Sequence, residues 1–291
     1  MAELEHPYDG QKNNLWLRGN LHTHTTRSDG ARDVQIVIDD YAARGYDFLM
    51  ISDHDIYTSV QDHAAWDARG MLLLPGNEIT RNGPHLLHVN ADRFVAPDKE
   101  RQGVIDAATQ GTGFIIVNHP DWLPGFNHCS LEQLQAWSGY QGIEIYNGVI
   151  ARLNGSPYAL QKWESLLASG RRVWGYANDD SHAAQDVALG WNVVSVPERT
   201  PQAVVNALRR GNFYASTGVE ITGIYVEGLH IHIETTNAER IVASSDWGHR
   251  FAVADTTSIE VEVPEKASYV RFTCWGRGEQ FAWTQPFFVA E

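Results

Sequence analysis

Six short apolar runs in the first two thirds of this chain end on histidine or a carboxylate, and several end on both. In order they read LWLRGNLHTHTTRSDG (15–30), FLMISDHD (48–55), LLLPGNEI (72–79), LLHVN (86–90), FIIVNHPDW (114–122) and VWGYANDDSH (173–182). Runs of this kind read as buried strands, so each polar tip falls where a strand ends. Ten of the thirteen histidines lie before residue 190. Imidazoles and carboxylates converging from six strand ends are the ligand types that a cluster of divalent metals takes. The pattern points to a hydrolytic metalloenzyme.

Helix signals separate these runs. DVQIVIDDYAARG (33–45) spaces Val34, Val37, Ile38 and Tyr41 on one helical face and stops at Gly45. SPYALQKWESLLASG (156–170) offers Ser156 as N-cap and Pro157 in the first turn, and TPQAVVNALRRG (200–211) repeats that design with Thr200, Pro201 and Gly211. Strands alternating with helices predict βα units and a largely parallel sheet. About seven units, with polar residues at strand ends, suit a distorted (β/α)7 barrel of α/β class. An open doubly wound sheet would gather its polar residues at one crevice instead. After about residue 220 apolar and polar residues alternate between turns, as in LHIHIETT and SYVRFTCWGRG. This predicts two domains: a metal-dependent hydrolase domain over 1–220 and a small antiparallel β-domain over 221–291 packed on it.

The formal net charge of −14 supplies no basic footprint for nucleic acid. No stretch approaches the length of a transmembrane helix, and MAELEHPYDGQKNN has no apolar signal core. Cys129 and Cys274 form no CxxC pair, so reduced thiols and a cytoplasmic location are expected.

Within the motifs, His22 and His24 stand at i and i+2 of a strand and share a face, and Asp180 and His182 repeat the arrangement. Glu78 ends its own run, where a carboxylate can bridge two metals. Asp29 lies on the loop after His24; His54, His88 and His119 each end a strand. Asp53 and Asp55 flank His54 and suit support of the ligands better than ligation. Trp122 can wall a pocket, Glu144 and Asn147 can touch substrate, and Arg152 is the nearest downstream cation for a phosphate.

HTHTTRSDG, ISDHD, GNEIT, HLLHVN, VNHPDW and NDDSH, in this order, resemble the PHP (polymerase and histidinol phosphatase) superfamily over roughly residues 15–215. The resemblance implies a distorted seven-stranded β/α barrel with two or three divalent ions (Mn, Fe or Zn). It implies that His22, His24, Glu78 and Asp180 bind one ion, Glu78, His88 and His119 a second, and Asp29, His54 and His182 a third. Within HLLH, His88 is the better match and His85 the alternative. FYASTGVEI (213–221) and AWTQPFFV (282–289) are similar to a branch of stand-alone PHP proteins with a C-terminal β-domain that includes carbamate-ester hydrolases.

The leading expectation is metal-dependent hydrolysis of a phosphoester in a small molecule or nucleotide. Glu78 holds the ions that activate a water, and the leaving-group proton comes from water or from Asp29 or His182 where either is free. The same centre could cleave a carboxyl ester, amide or carbamate. A non-catalytic PHP module is the third reading. The expected partner is a small, phosphorylated substrate, with no stable nucleic-acid or membrane partner.

Overall fold

The protein is described by a computed structural model over residues 3–8 and 14–290. In chain order its first part contains β1 (Glu3–Glu5), β2 (Leu15–Asn20), α1 (Val34–Ala42), β3 (Phe48–Met50), β4 (Leu72–Leu74), β5 (Gly76–Ile79), β6 (Leu86–Val89) and α2 (Arg101–Thr109). Then follow β7 (Phe114–Val117), α3 (Leu131–Ala136), β8 (Gly142–Asn147), α4 (Leu160–Ala168), β9 (Trp174–Asn178), β10 (Trp191–Val196), α5 (Pro201–Arg210) and β11 (Phe213–Ser216). The remainder is strand: β12 (Ile221–Glu227), β13 (His230–Thr235), β14 (Arg240–Ser245), β15 (His249–Ala254), β16 (Ser258–Glu262), β17 (Tyr269–Trp275), β18 (Phe281–Thr284) and β19 (Phe287–Ala290).

The caps explain most helix starts. Asp33 accepts from the Ile36 amide at α1 and Thr200 from the Ala203 amide at α5. Gly211 ends α5 at φ 81, in the left-handed region. The fourth helix differs from expectation. It begins at Leu160 and not near Ser156, because Tyr158 pairs as a bridge with Tyr146 and the Ser156 hydroxyl bonds the backbone of Tyr158.

The expected closed barrel is not formed. The strands divide between a five-stranded sheet, β5-β6-β7-β8-β9, and a larger one that runs β1-β19-β17-β18-β11-β10-β2-β3-β4 with β14 and β15 attached beside β17. Strands β2, β3 and β4 are parallel, as are β7, β8 and β9. By contrast β5-β6-β7 and β2-β10-β11 are antiparallel. Buried side chains from both sheets, among them Leu21, Phe48, Leu87, Ile116 and Val194, form one core cluster.

Two seams join the sheets without a continuous ladder. At the first, Pro75 separates β4 from β5; proline has no N–H to offer a ladder. Isolated bridges His54–Glu78 and Thr58–Gly76 carry the contact there. At the second, side-chain amides take the place of a strand partner for β9. Asn192 accepts from the Ala177 amide at 3.1 Å and donates to its carbonyl at 2.8 Å. Gln285 does the same for Gly175, at 2.9 and 2.8 Å. The Leu21 amide donates to Asn178 at 3.1 Å.

The C-terminal strands continue the larger sheet. β18 pairs with β11, and β1 pairs with β19; only β12, β13 and β16 form a sheet of their own. Cys129 and Cys274 are both free and buried, and burial pushes each thiol up to about 12. Among the described residues no helix is long and apolar enough to cross a membrane.

The second seam makes a testable demand. Asn192→Leu removes both partners of Ala177 inside the protein, and should lower unfolding free energy by about 2–4 kcal/mol in denaturant titration. The exposed control His230→Ala should change it by less than about 0.5 kcal/mol. A loss in Asn192→Leu no larger than the control's would show that the amide seam is not structural.

Candidate metal centre

Beyond Asn20 the chain stays extended long enough for Thr23 to bridge in parallel with Ser181, their hydroxyls 2.6 Å apart. His22 and His24 therefore leave the opposite face of one segment, and Asp180 and His182 that of the other. The Nε2 atoms of His22 and His24 lie 3.1 and 3.0 Å from Asp180 Oδ1. Glu78, on β5, reaches the same place: its carboxylate is 3.2 Å from His22, 3.5 Å from His24, 2.7 Å from His54 and 3.4 Å from His119. Asp29 lies 3.4 Å from both His54 and His182.

His88 is the exception. In the antiparallel β5–β6 pair, Glu78 stands opposite Leu87, and Asn77 opposite His88. Facing residues project to the same side and the side alternates at every residue, so His88 points away from Glu78. Its ring packs instead where a Cβ on Gly113 would strike it at 2.2 Å, and burial pushes its pKa down to about 4. His85, two residues before Leu87, is the histidine that reaches Glu78, at 3.1 Å.

Two of the expected substrate contacts are also relocated. Glu144 and Asn147 are buried behind the cluster. Glu144 takes His22 Nδ1 at 2.7 Å, accepts from the His119 amide at 2.9 Å and from Asn178 at 2.9 Å. Asn147 donates to Glu144 and to Asp180. Both orient ligand candidates, a common arrangement around metal-binding histidines. Arg152 is half exposed and makes a bidentate pair with Asp186 at 2.8 Å for each bond. Asp53 accepts from Thr25 and Ser28, and Asp55 caps Thr80 and Arg81.

His128 joins the group without having been expected. It has no strand of its own, and no motif marks it. The 120–129 loop carries it in, together with Trp122, whose ring lies 4.9 Å from that of His128 and 5.1 Å from that of His119. Lys162 fastens this loop by donating to the carbonyls of Pro120, Phe126 and Cys129 and pairing with Asp121. The His85 amide donates to His128 Nε2 at 3.0 Å.

The cluster fits metal ions on two grounds. Four groups of His, Asp or Glu atoms lie mutually within 4.8 Å around Glu78 and Asp180: His22–His24–Asp180, His22–Glu78–His119, His54–Glu78–His85 and His24–Asp29–His54–His182. His85, His119 and His128 form a fifth. Ligands held about 2.1 Å from one tetrahedral ion stand about 3.4 Å apart, close to the separations above. Second, His22 Nε2, both ring nitrogens of His24, His54 Nδ1, Glu78 Oε2 and Asp180 Oδ1 are buried without hydrogen-bond partners. Orphaned polar atoms at this density are costly unless something binds them.

Electrostatics agree. Burial by itself would lower His54, yet Asp29 and Glu78 outweigh it and raise the group to about 10. Burial likewise opposes the charged form of Glu78, but His22 and His85 hold it well below the usual carboxylate range. Without a cation, then, the carboxylates draw protons onto His22, His54 and His182, while burial keeps His24 and His85 low; a divalent ion binding those nitrogens takes the protons' place.

With this geometry in view, the resemblance to known proteins has a structural meaning. The PHP-associated family model matches residues 167–213, which hold β9, Asp180, His182, β10 and α5. A two-domain protein from Bacteroides vulgatus, containing a predicted PHP-like metal-dependent phosphoesterase, superposes with a TM-score of 0.54 at 17% identity, over 98% of this chain and 90% of that one. The chain thus shares the fold of that PHP-like protein, and its residues 167–213 match the PHP-associated family model.

Other solved structures align with less of this chain. An amidohydrolase from Chromobacterium violaceum covers 65% of it and 96% of its own length, at 18% identity and TM-score 0.44. A lesion-specific endonuclease from Pyrococcus furiosus covers 67% of it and 56% of its own length, at 12% identity and TM-score 0.46. Among curated protein sequences there is no match.

The exchange of His88 for His85 can be checked by metal content. His85→Ala should lose about one equivalent of bound metal relative to the parent protein, since one nitrogen at 3.1 Å from Glu78 is removed. His88→Leu should keep the full complement. The opposite pattern in elemental analysis would restore His88 as the ligand.

Proposed function

We propose that this chain is a metal-dependent hydrolase and that it cleaves a phosphoester bond in a small molecule. The observation that carries the reading is the cluster itself: Glu78, Asp29 and Asp180 among His22, His24, His54, His85, His119 and His182, with buried nitrogens and oxygens left unpaired. The similarity in fold to the Bacteroides protein supports it.

Two to three divalent ions held by these residues would supply an acidified water and Lewis-acid polarisation of the scissile group. The chain's own residues set the rest. Glu78 has no side-chain exposure and is fixed by the Asn118 amide, which donates at 2.6 Å. Glu144 fixes His22 by its Nδ1, leaving Nε2 toward Glu78 and Asp180. The cluster opens where exposure rises: His54 is 25%, His182 24% and Asp29 54% exposed at the side chain. That edge is where a substrate enters; Asp29 is held ionised there by His182 and His54, so the proton for the leaving group comes from water or from a His182 that is free of metal. Trp122 and His128 wall the neighbouring side, and they limit water there.

A second reading, hydrolysis of a carboxyl ester, amide or carbamate, is favoured by one observation. The arginine best placed in sequence for a phosphate, Arg152, is engaged by Asp186. The two readings differ at the open edge. A phosphate brings charge that needs compensation, and the chain's net −14 works against it.

His54→Ala and His182→Ala should therefore reduce phosphoesterase kcat/KM by about a hundredfold or more while costing any carboxyl-ester activity far less. Assays with phosphomonoesters, phosphodiesters and carboxyl esters on metal-loaded protein decide it. Full phosphatase rates in both variants, or a parent protein that cleaves carbonyl substrates alone, would replace the first reading by the second.

A further inference from the structure

The face formed by β15, β14, β17 and β18 carries a second, unrelated arrangement. Cross-strand neighbours share a face, and alternate residues along each strand continue it. One row reads Arg250–Ser244–Arg271 across three strands. The next, two residues along, has Thr273 beside Trp283, and the one after it has Trp275 beside Phe281. This sheet face is thus cationic at one end and aromatic at the other. With Tyr158, from the segment before α4, the three rows line a cavity of about 330 Å³. No residue of the metal cluster lines it.

The two arginines are not equivalent. Arg271 is buried and locked: its Nε and Nη2 donate to Glu164 at 2.8 and 2.5 Å, and Nη1 donates to Thr273 at 3.1 Å. Glu164 also bonds the Tyr269 hydroxyl and accepts from the Gly248 amide. Arg250 is exposed. Its guanidinium lies 5.9 Å from the Trp275 ring, and among the described residues its side chain makes no ion pair or hydrogen bond. The aromatic end also has unused capacity. Phe281 and Trp283 stack at 5.4 Å with 19° between planes, Trp275 meets Phe281 edge-on at 5.5 Å, and Trp283 Nε1 is buried without a partner.

We propose that this cavity binds a small planar aromatic ligand bearing one anionic group such as a carboxylate. The ring packs over the Thr273 row, against the partly exposed Phe281 and Tyr158. The anion lies beside Arg250 and the Ser244 hydroxyl, one row away. Rows two residues apart are separated by about 7 Å, which matches the span of a fused-ring carboxylate. A guanidinium without a protein counter-ion gives the anion its preference, and stacked rings give the aromatic body its own.

Calorimetric titration of the metal-loaded, full-length protein with 2-naphthoate and with neutral 2-naphthamide tests this. Naphthoate should bind about tenfold more tightly than the amide. Arg250→Ala should abolish that preference without changing the affinity for naphthamide. Phe281→Ala, checked for folding by circular dichroism, should weaken both ligands about tenfold. Equal affinity for the two ligands, no binding of either, or naphthoate affinity that survives Arg250→Ala would overturn the proposal. Loss of naphthoate binding on metal chelation, with Arg250→Ala unaffected, would assign the carboxylate to the metal cluster instead.

Discussion

Glu78 has no exposed side-chain surface, yet five imidazoles stand between 2.7 and 3.5 Å from its carboxylate. A carboxylate taken out of water is expensive unless it is paired and hydrogen-bonded. Here the compensation is incomplete, because several of the surrounding nitrogens and one Glu78 oxygen have no hydrogen-bond partner. That concentration of unsatisfied donors and acceptors organises everything near it. Glu144 and Asn118 hold the ring and carboxylate orientations from behind, and Asp53 and Asp55 brace the loops that carry Asp29 and His54.

The scaffold is arranged to allow such a cluster. A closed ladder would require backbone pairing all around, leaving little freedom where the sheets meet. In this chain the seams are made of isolated bridges and amide side chains, and the cluster sits beside them. His54 and Glu78 are themselves bridge partners at one seam, and Thr23 and Ser181 at the other. Thus each seam places ligand candidates. Asp180 and His119 adopt positive φ, at 53° and 25°, conformations that are strained outside glycine and that recur at functional sites.

Much of the site was legible in the sequence because strand geometry has a period of two. The pairs His22/His24 and Asp180/His182 follow from that period alone, and Thr23 and Ser181 meeting behind them is its consequence. The choice between His85 and His88 was not legible. It depends on which residue of β6 faces Glu78, and that register exists only once the hairpin has formed. His128 was invisible for a related reason: a loop brings it in, and what fixes the loop is Lys162, some thirty residues later in the chain. Glu144 and Asn147 end a polar strand tip that can face the pocket or support it, and only their contacts with His22, His119 and Asp180 separate the two. The barrel was overdrawn because alternating strands and helices do not reveal that β5–β6–β7 run antiparallel, or that Asn192 and Gln285 replace a ladder.

The claim on which the rest depends is that the Glu78 cluster is a metal centre. Its most direct test is elemental analysis of the purified protein after growth with added Mn, Fe or Zn, alongside Glu78→Gln checked for folding. The proposed function, with the count of two to three divalent ions that the PHP resemblance implies, expects at least about one ion fewer in the variant, where charge is removed from among the unpaired atoms around Glu78. Less than one ion per chain in the parent protein, or a content indifferent to Glu78, would contradict the account.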